Sequence, residues 1–239
     1  MNKDDIVLKT ACKLLKDNNI NFWVCHGTLL GIIRENRLLP WDKDIDIAVW
    51  RHETDRDYVA AIFENAGYKQ EFFFADVDSL HFHNEGKNID INFFKKTNKI
   101  GSWQGAIANK GFFNKLLVHL AYIVHVKEMK KVELPKSFFK KFLYILFIIF
   151  VFILRNIAST RLKKKINNEA LSRISYIGYS YPISLLNFRE ISYKGIKLQV
   201  PIDSEKCLEL TYGKQWRTPK KDYIWYEDAS NLIKSHGGN

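Results

Sequence analysis

Three aspartates stand at alternate positions in a largely apolar stretch of this 239-residue chain. The stretch "WDKDIDIAVW" (41–50) has the character of a buried β-strand, yet Asp42, Asp44 and Asp46 occupy every second position. Side chains two residues apart on a strand point the same way, so Asp44 and Asp46 share one face while Ile45 faces the core. Carboxylates this close repel each other unless a cation lies between them, and their oxygens favour Mg²⁺ or Mn²⁺. The pattern predicts a metal site formed by the three aspartates.

A further acid comes from another predicted strand. The run "NIDINFF" (88–94) places Asp90 between two apolar residues. Acids from two neighbouring strands can hold one or two metals and activate a hydroxyl nucleophile, so Asp44, Asp46 and Asp90 are the predicted catalytic residues. His81 and His83, just upstream, either join this site or are partly exposed strand residues.

A phosphate-binding turn is predicted upstream of the acids. Gly27 and Thr28 lie where a short strand passes into a helix, and the free N–H groups of a helix N-terminus attract phosphate. Arg34, near the end of that helix, is the predicted partner of a phosphate oxygen, and His26 could contact the same substrate. The chain has neither G-x-x-x-x-G-K-[ST] nor G-x-G-x-x-G, which excludes P-loop and Rossmann sites.

The elements that must position these residues predict an α/β sheet of mixed direction. A helix is expected over 4–17, then a short strand, the turn and helix described above, and the acidic strand. A helix that begins near Asp55 and ends by Gly67 follows, and then three strand-like runs (70–75, 79–84, 88–94). Near the C-terminus, "GIKLQVP" predicts a strand and "SEKCLELTYG" a helix closed by Gly213.

The composition is that of a globular protein, with 46% hydrophobic and 26% charged residues. Its three cysteines share no C-x-x-C spacing, which argues against a disulfide framework or a cysteine-rich zinc site and fits a reducing compartment. The first residues, MNKDDIVLK, contain no apolar signal region, so no secretory signal is expected.

The net charge of +11 is unevenly distributed. Residues 127–165 carry 11 Lys and Arg against two Glu, and they bracket thirteen apolar residues, Phe142–Leu154. This layout favours an anionic membrane surface over nucleic acid as the partner. Thirteen helical residues span about 20 Å, short of the roughly 30 Å bilayer core. Three possibilities remain: interfacial or monotopic insertion, a buried core helix, or a span extended by snorkelling lysines and arginines.

Two segments resemble one known family. The segment "GTLLGIIRENRLLPWDKDIDIAV" (27–49) resembles the signature of the LicD family, which includes fukutin and fukutin-related protein. The segment "VPIDSEKCLELTYGKQWRTP" (200–219) is similar to the closing motif of that family. One departure is Lys43, where many members carry another acid; on a strand it points away from the acidic face.

The resemblance implies a nucleotidyltransferase (polymerase-beta-like) mixed α/β sheet with flanking helices. It would be joined to a basic hydrophobic helical segment and a C-terminal helical unit. The expected division is a nucleotidyltransferase-like core (1–100), a membrane-associating segment (101–167) and the C-terminal part of the catalytic domain (168–239).

The implied activity is Mg²⁺-dependent transfer of a phosphorylated alcohol from a CDP-linked donor to a glycan or its lipid-linked precursor. Phosphocholine and ribitol phosphate are examples of the transferred group. Asp44 and Asp46 match the D-x-D of the family, Asp42 the acid after Pro-Trp, and Gly27, Thr28 and Arg34 the phosphate-binding segment. The alternatives are transfer of CMP or AMP itself, and a non-catalytic subunit docked on a membrane. We expect no nucleic-acid partner, and a peripheral or monotopic protein at the cytoplasmic face of the cell membrane.

Overall fold

The computed structural model describes residues 2–73, 75–76, 78–84, 86–125, 138–157 and 159–236. The chain divides into two compact units. The core unit comprises Met1–Glu71, Val77–Gly105 and Ile177–Lys234. The helical unit comprises Phe72–Asp76, Ala106–Tyr176 and Ser235–Asn239.

Helices and strands alternate in the first hundred residues, and a run of helices follows. The first elements are α1 (Lys3–Asp17), β1 (Trp23–Val24), α2 (His26–Glu35), β2 (Asp44–Trp50), α3 (Arg56–Asn65), β3 (Lys69–Glu71), β4 (Ser79–His83), β5 (Asn88–Lys96) and β6 (Ile100–Ala108). The three helices that follow are α4 (Phe112–His125), α5 (Phe138–Ile157) and α6 (Thr160–Leu171). The remaining elements are β7 (Ile174–Pro182), a 3₁₀ turn (Ile183–Leu186), β8 (Phe188–Tyr193), β9 (Ile196–Pro201), α7 (Ser204–Tyr212), α8 (Trp225–Asp228) and β10 (Leu232–His236).

The described strands form a large mixed sheet in the order β1-β2-β5-β6-β7-β10, with β4 also paired to β5 and β3 to β4. The pairing that matters for the site is parallel: β2 lies beside β5, with Asp46 opposite Asp90. Strand β4 pairs antiparallel with β5 and places His81 opposite Asp90 from the other side. Strands β8 and β9 form a separate hairpin.

Strand β2 is buried on both faces over its second half. Ile45, Ile47 and Val49 belong to the larger apolar core, which also includes residues of α1, α2 and α3. Ala48 and Trp50 belong to a second apolar cluster. Because side chains alternate, Asp44 and Asp46 share a face with Ala48 and Trp50 and continue that face beyond the apolar cluster. The acids are therefore held on a strand that packing fixes from both sides.

The fold expected from the sequence is confirmed: the protein is an α/β chain with a mixed sheet and flanking helices. The predicted helices and strands of the first hundred residues are present, although the run predicted over 70–75 forms only the short strand Lys69–Glu71. Asp55 caps α3 through the backbone N–H of Tyr58. Gly213 follows α7 with φ of 82°, the left-handed region in which glycine is favoured. The C-terminal part carries strands β7 to β10 in addition to its helices.

The apolar run Phe142–Leu154 lies within α5. Across the helices of the described ranges, none has both the length and the hydropathy that crossing a bilayer requires. Part of the predicted basic segment lies outside the described residues, namely Lys127, Glu128, Lys130, Lys131, Glu133 and Lys136.

Candidate functional site

The structure brings the three predicted metal ligands together. Asp42, at the end of the loop before β2, joins Asp44 and Asp46 of β2, and one ligand oxygen from each lies within 4.8 Å of the others. We call these three residues the acidic cluster. Hard oxygen donors at this spacing are the set that Mg²⁺ or Mn²⁺ prefers.

The first turn of α2 is hydrogen-bonded to the acidic cluster. The backbone N–H of Gly27 donates to Oδ2 of Asp46 at 3.1 Å. The backbone N–H of Asp46 donates in return to Oγ1 of the buried Thr28 at 2.8 Å. The predicted phosphate-binding turn therefore also positions Asp46, because its hydrogen bonds fix both the backbone and the carboxylate of that residue.

Gly27 is required by the space around it. A Cβ built on Gly27 would lie closer than 3.0 Å to Oδ2 of Asp42, and 3.2 Å from its Cγ. The same Cβ would be 3.4 Å from Oδ2 of Asp46. Glycine thus lets the acidic cluster approach the helix start.

Lys87 is a residue of this site that the sequence analysis missed. Its buried Nζ donates to the backbone carbonyls of Leu39 at 3.1 Å and of Asp42. Burial raises the pKa of Asp42, and the positive charge of Lys87 partly opposes that rise. Lys87 therefore attaches the loop that carries Asp42 to the sheet. Only its place immediately before the "NIDINFF" run could have drawn attention to it.

A row of polar side chains crosses three strands beside the acidic cluster. Asp46 on β2 is opposite Asp90 on β5, which is opposite His81 on β4. Nδ1 of His81 lies 2.9 Å from Oδ1 of Asp90. The structure thus places Asp90 next to the cluster, as predicted, and pairs it with His81, the histidine whose role the sequence left open. A carboxylate oriented in this way can accept a proton.

Burial and neighbouring negative charge raise the pKa of two of these carboxyl groups, Asp42 and Asp46. Burial, a hydrogen bond that the Asp42 carboxyl donates to Asp44, and the charge of Asp44 raise the pKa of Asp42 to about 7. Burial, followed by the charges of Asp44, Asp42 and Asp90, raises the pKa of Asp46 well above its usual range, against the lowering effect of the Gly27 N–H. This repulsion is what a bound divalent cation would relieve, so the donor set fits such a cation.

The pKa of Asp42 predicts how pH and Mg²⁺ act on stability. Its pKa is about 7 in the folded protein against an ordinary 3.8, so unfolding releases a proton between these values. Without divalent cations, the contribution of Asp42 to stability should therefore fall as the pH rises from about 4 to about 7 and then level off. Mg²⁺ should raise the melting temperature more at a pH of about 8 than at about 5, because protons compete with the metal at low pH.

Thermal melts of the wild type and Asp42→Asn, with and without Mg²⁺, isolate this contribution. The difference between the two proteins should shrink toward low pH, where Asp42 is protonated. A Mg²⁺-induced shift that is the same at both pH values would contradict the assignment.

His26, predicted to contact the substrate, lies at the first position of α2. Its ring packs against Phe94, Trp103 and Tyr179, with centroids 4.9 to 5.9 Å apart. Both ring nitrogens are buried and have no hydrogen-bond partner among the described residues. Burial lowers the pKa of His26 to about 3, so the ring is neutral and offers one donor and one acceptor.

Arg34 has other partners in this structure. Its guanidinium donates to Oε1 of Glu35 at 2.6 Å and to the carbonyl of Trp216 at 3.2 Å. Glu35 also pairs with Arg37. Contact between Arg34 and a phosphate would require these bonds to be exchanged, and that role stays a prediction.

Two tyrosines from the C-terminal part lie close enough to Asp46 for its charge to act on them. Burial, and then the negative charge of Asp46, raise the pKa of Tyr212 well above its usual range. Tyr179 is shifted in the same direction, mainly by burial. In the sequence, Tyr212 is recognisable only as part of the closing motif, because nothing local links it to Asp46, 166 residues earlier.

Comparison with known proteins agrees with the resemblance. The "Ribitol-5-phosphate transferase FKTN" of Mus musculus is 25% identical over 232 residues, which is 95% of this chain and 36% of that protein. The human protein of the same name is 23% identical over 231 residues, with the same coverage. This chain thus spans about a third of the length of these relatives. "Uncharacterized protein RP689" of Rickettsia prowazekii (strain Madrid E) is 36% identical over 63 residues, which is 26% of this chain and 24% of that protein.

Among solved structures, the antibiotic-resistance factor ANT(2'')-Ia aligns with a TM-score of 0.35 and 13% identity, over 71% of this chain and 92% of that one. The sequence model for LicD/FKTN/FKRP, nucleotidyltransferase domain, matches residues 19–151, more than half of the chain and the whole of the acidic cluster. The chain belongs to the LicD/FKTN/FKRP nucleotidyltransferase-domain family.

Proposed function

We propose that this protein transfers a phosphorylated alcohol from a CDP-linked donor to a hydroxyl group of a cell-surface glycan or its lipid-linked precursor. The observation that carries the proposal is the acidic cluster beside the Asp90–His81 pair. The transferred group would be phosphocholine-like, or ribitol or glycerol phosphate. The relatives named for ribitol-5-phosphate transfer align with almost the whole of this chain, which supports that chemical class.

Asp42, Asp44 and Asp46 would hold Mg²⁺ or Mn²⁺. Such an ion, when bound, neutralises the charge of a diphosphate and of the transition state. With the ion bound, the three aspartates would act as oriented, ionised ligands, since metal binding requires deprotonated carboxylates.

Asp90 is the proposed general base. The acceptor oxygen attacks the phosphorus that bears the alcohol, its proton passes to Asp90, and the bond from that phosphorus to the oxygen of CMP breaks. His81 keeps the Asp90 carboxylate oriented through their 2.9 Å contact. CMP leaves with the bridging oxygen, so the products are CMP and the phosphorylated glycan.

Donor binding is assigned to the first turn of α2. Gly27 and Thr28 lie at a helix N-terminus, where the helix dipole favours the negative charge of the donor. His26 would use its unpartnered ring nitrogens on a polar group of the donor. Arg34 would pair with a phosphate oxygen after release from Glu35 and Trp216.

The alternative reaction is true nucleotidyl transfer. It is retained because the matching family is described as a nucleotidyltransferase domain. In that reaction the acceptor attacks the phosphorus of the nucleotide, and CMP or AMP is transferred. The same carboxylates would serve both reactions, because both stabilise charge on a diphosphate.

The two reactions are separated by the fate of an oxygen atom. The purified protein is incubated with Mg²⁺ and a panel of CDP-alcohols in H₂¹⁸O, and the slow hydrolysis products are read by ³¹P NMR. We expect ¹⁸O in the phospho-alcohol, because water then replaces the glycan hydroxyl at that phosphorus. Label in CMP would support nucleotidyl transfer instead. Turnover of no donor, with and without added glycan acceptors, would favour a non-catalytic membrane-docked subunit.

A further inference from the structure

Helix α5 presents an apolar stripe to its surroundings, interrupted near its C-terminal end by the exposed Asn156. Among the α5 side chains that the structure describes, the large exposed apolar ones lie within an arc of about 160° at about 100° per residue. They are Phe142, Ile145, Leu146, Ile149, Phe150, Phe152, Ile153 and Ile157. Their exposed fractions run from 46% to 79%. A row of exposed apolar side chains on a 20-residue helix indicates an interaction surface, whereas single exposed apolar residues are common on any protein.

Other apolar groups of the helical unit are exposed as well. Phe112 and Phe113, at the start of α4, are 73% and 78% exposed, and Leu162 of α6 is 41% exposed. Helix α4 packs against both α5 and α6. The three helices therefore form one structure within this unit, with several large apolar side chains at its surface.

The positive charge of the chain is concentrated in the same unit. Residues 106–176 contain 14 Lys and Arg against three acids, a net charge of +11 that equals the charge of the whole protein. The other 168 residues carry 23 basic and 23 acidic side chains and are neutral. On α6, the exposed cations include Arg161, Lys164 and Lys165. The charge excess is thus a property of the helical unit alone.

We propose that the helical unit binds an anionic lipid bilayer, with α5 lying in the plane of the interface and its apolar stripe inserted at the boundary between headgroups and acyl chains. Basic side chains on the neighbouring helices would contact the lipid phosphates. An anionic bilayer is the partner that can both bury the apolar stripe and attract the basic side chains. A second copy of this unit would set the net charge of +11 on residues 106–176 against the same positive charge. Binding to nucleic acid would leave the apolar stripe exposed to water. The proposal stands independently of the reaction proposed above.

The test is flotation with vesicles of phosphatidylcholine alone or mixed with phosphatidylglycerol. The wild type should float with the mixed vesicles, more weakly at high salt. The double variant Ile149→Asp/Phe150→Asp should bind at least about a hundredfold more weakly, because two inserted side chains are lost. The matched control is Ile6→Asp/Ile202→Asp in the core unit. Its two side chains are 51% and 56% exposed, against 49% and 56% for the first pair, and the added charge is the same.

A second pair of variants tests the charge. Lys164→Glu/Lys165→Glu should weaken binding to the mixed vesicles by more than about twentyfold, since each cation near the surface contributes about fivefold. Lys99→Glu/Lys214→Glu, exposed residues of the core unit, should weaken it far less. Thermal melts and donor hydrolysis in solution should be unchanged in all four variants, which separates loss of docking from misfolding and from failure of the proposed reaction.

Three results would overturn the proposal. The first is a wild type that floats with neither kind of vesicle. The second is undiminished flotation of Ile149→Asp/Phe150→Asp. The third is a wild type that is dimeric in solution and becomes monomeric in that variant without binding lipid, which would assign the stripe to a second copy of the chain.

Discussion

Replacing Asp44 by Asn should lower the rate of Mg²⁺-dependent donor cleavage about a thousandfold while leaving the fold at least as stable. The substitution keeps the shape of the side chain and removes one of the three charges that would hold the cation. Metal-ion stabilisation of the transition state is worth several kcal/mol, and each 1.4 kcal/mol is a factor of ten in rate. The measurement is the CMP release rate over a range of Mg²⁺ concentrations.

The stability of this variant is the more specific outcome. In the metal-free protein, Asp44 raises the pKa of both Asp42 and Asp46 through its charge. Replacing its charge by a neutral amide should remove that repulsion. If the free energy of unfolding rises by about 1 kcal/mol, the melting temperature rises by about 2–4 °C. The matched control is Asp57→Asn, an exposed acid of α3, which should change neither quantity. Full activity of Asp44→Asn under Mg²⁺ would reject the assignment of the acidic cluster.

The arrangement of acids along the strands could be predicted because it depends on a local rule. Residues two apart on a strand share a face, so the alternation of Asp44 and Asp46 with Ile45 and Ile47 already placed the acids opposite the core. Asp90 was predicted for the same reason, from Ile89 and Ile91 on either side. The parallel pairing that sets Asp90 opposite Asp46 needed the structure, because register depends on how whole strands pack.

Contacts between distant parts of the chain could not be predicted. Arg34 has the charge and the sequence position expected of a residue that binds phosphate. In the structure, however, it donates to the carbonyl of Trp216, 182 residues away. The contact between Lys87 and the backbone carbonyl of Asp42 is not predictable from the sequence, because a single lysine forms no periodic pattern. The burial of His26 could not be predicted either. Its ring packs against Trp103 and Tyr179, which lie on two strands that were not predicted from the sequence. Burial and pairing of charged groups are properties of tertiary packing.

Replacing Gly27 by Ala should separate the function of the site from the stability of the fold. The added Cβ would clash with the carboxylate of Asp42, which is the free end of a flexible side chain and can rotate away. The fold should therefore persist, helped by the better helix propensity of alanine, about 1 kcal/mol in a helix interior. Asp42 would no longer lie within reach of the cation, so we expect Mg²⁺ to bind about tenfold more weakly.

The expected loss of activity in Gly27→Ala is large, because a displaced Asp42 would hold the metal ion poorly and the reaction depends on that ion. Donor cleavage at limiting Mg²⁺ should fall by about a hundredfold or more, since errors of about 1 Å in catalytic geometry have costs of this size. Gly31→Ala, in the same helix, provides the contrast. Its Cβ would lie 2.5 Å from the backbone carbonyl of Arg37, which cannot move aside without shifting the chain. That variant should lose stability in a thermal melt, whereas Gly27→Ala should keep its melting temperature. Wild-type Mg²⁺ dependence in Gly27→Ala would mean that Asp42 does not bind the metal.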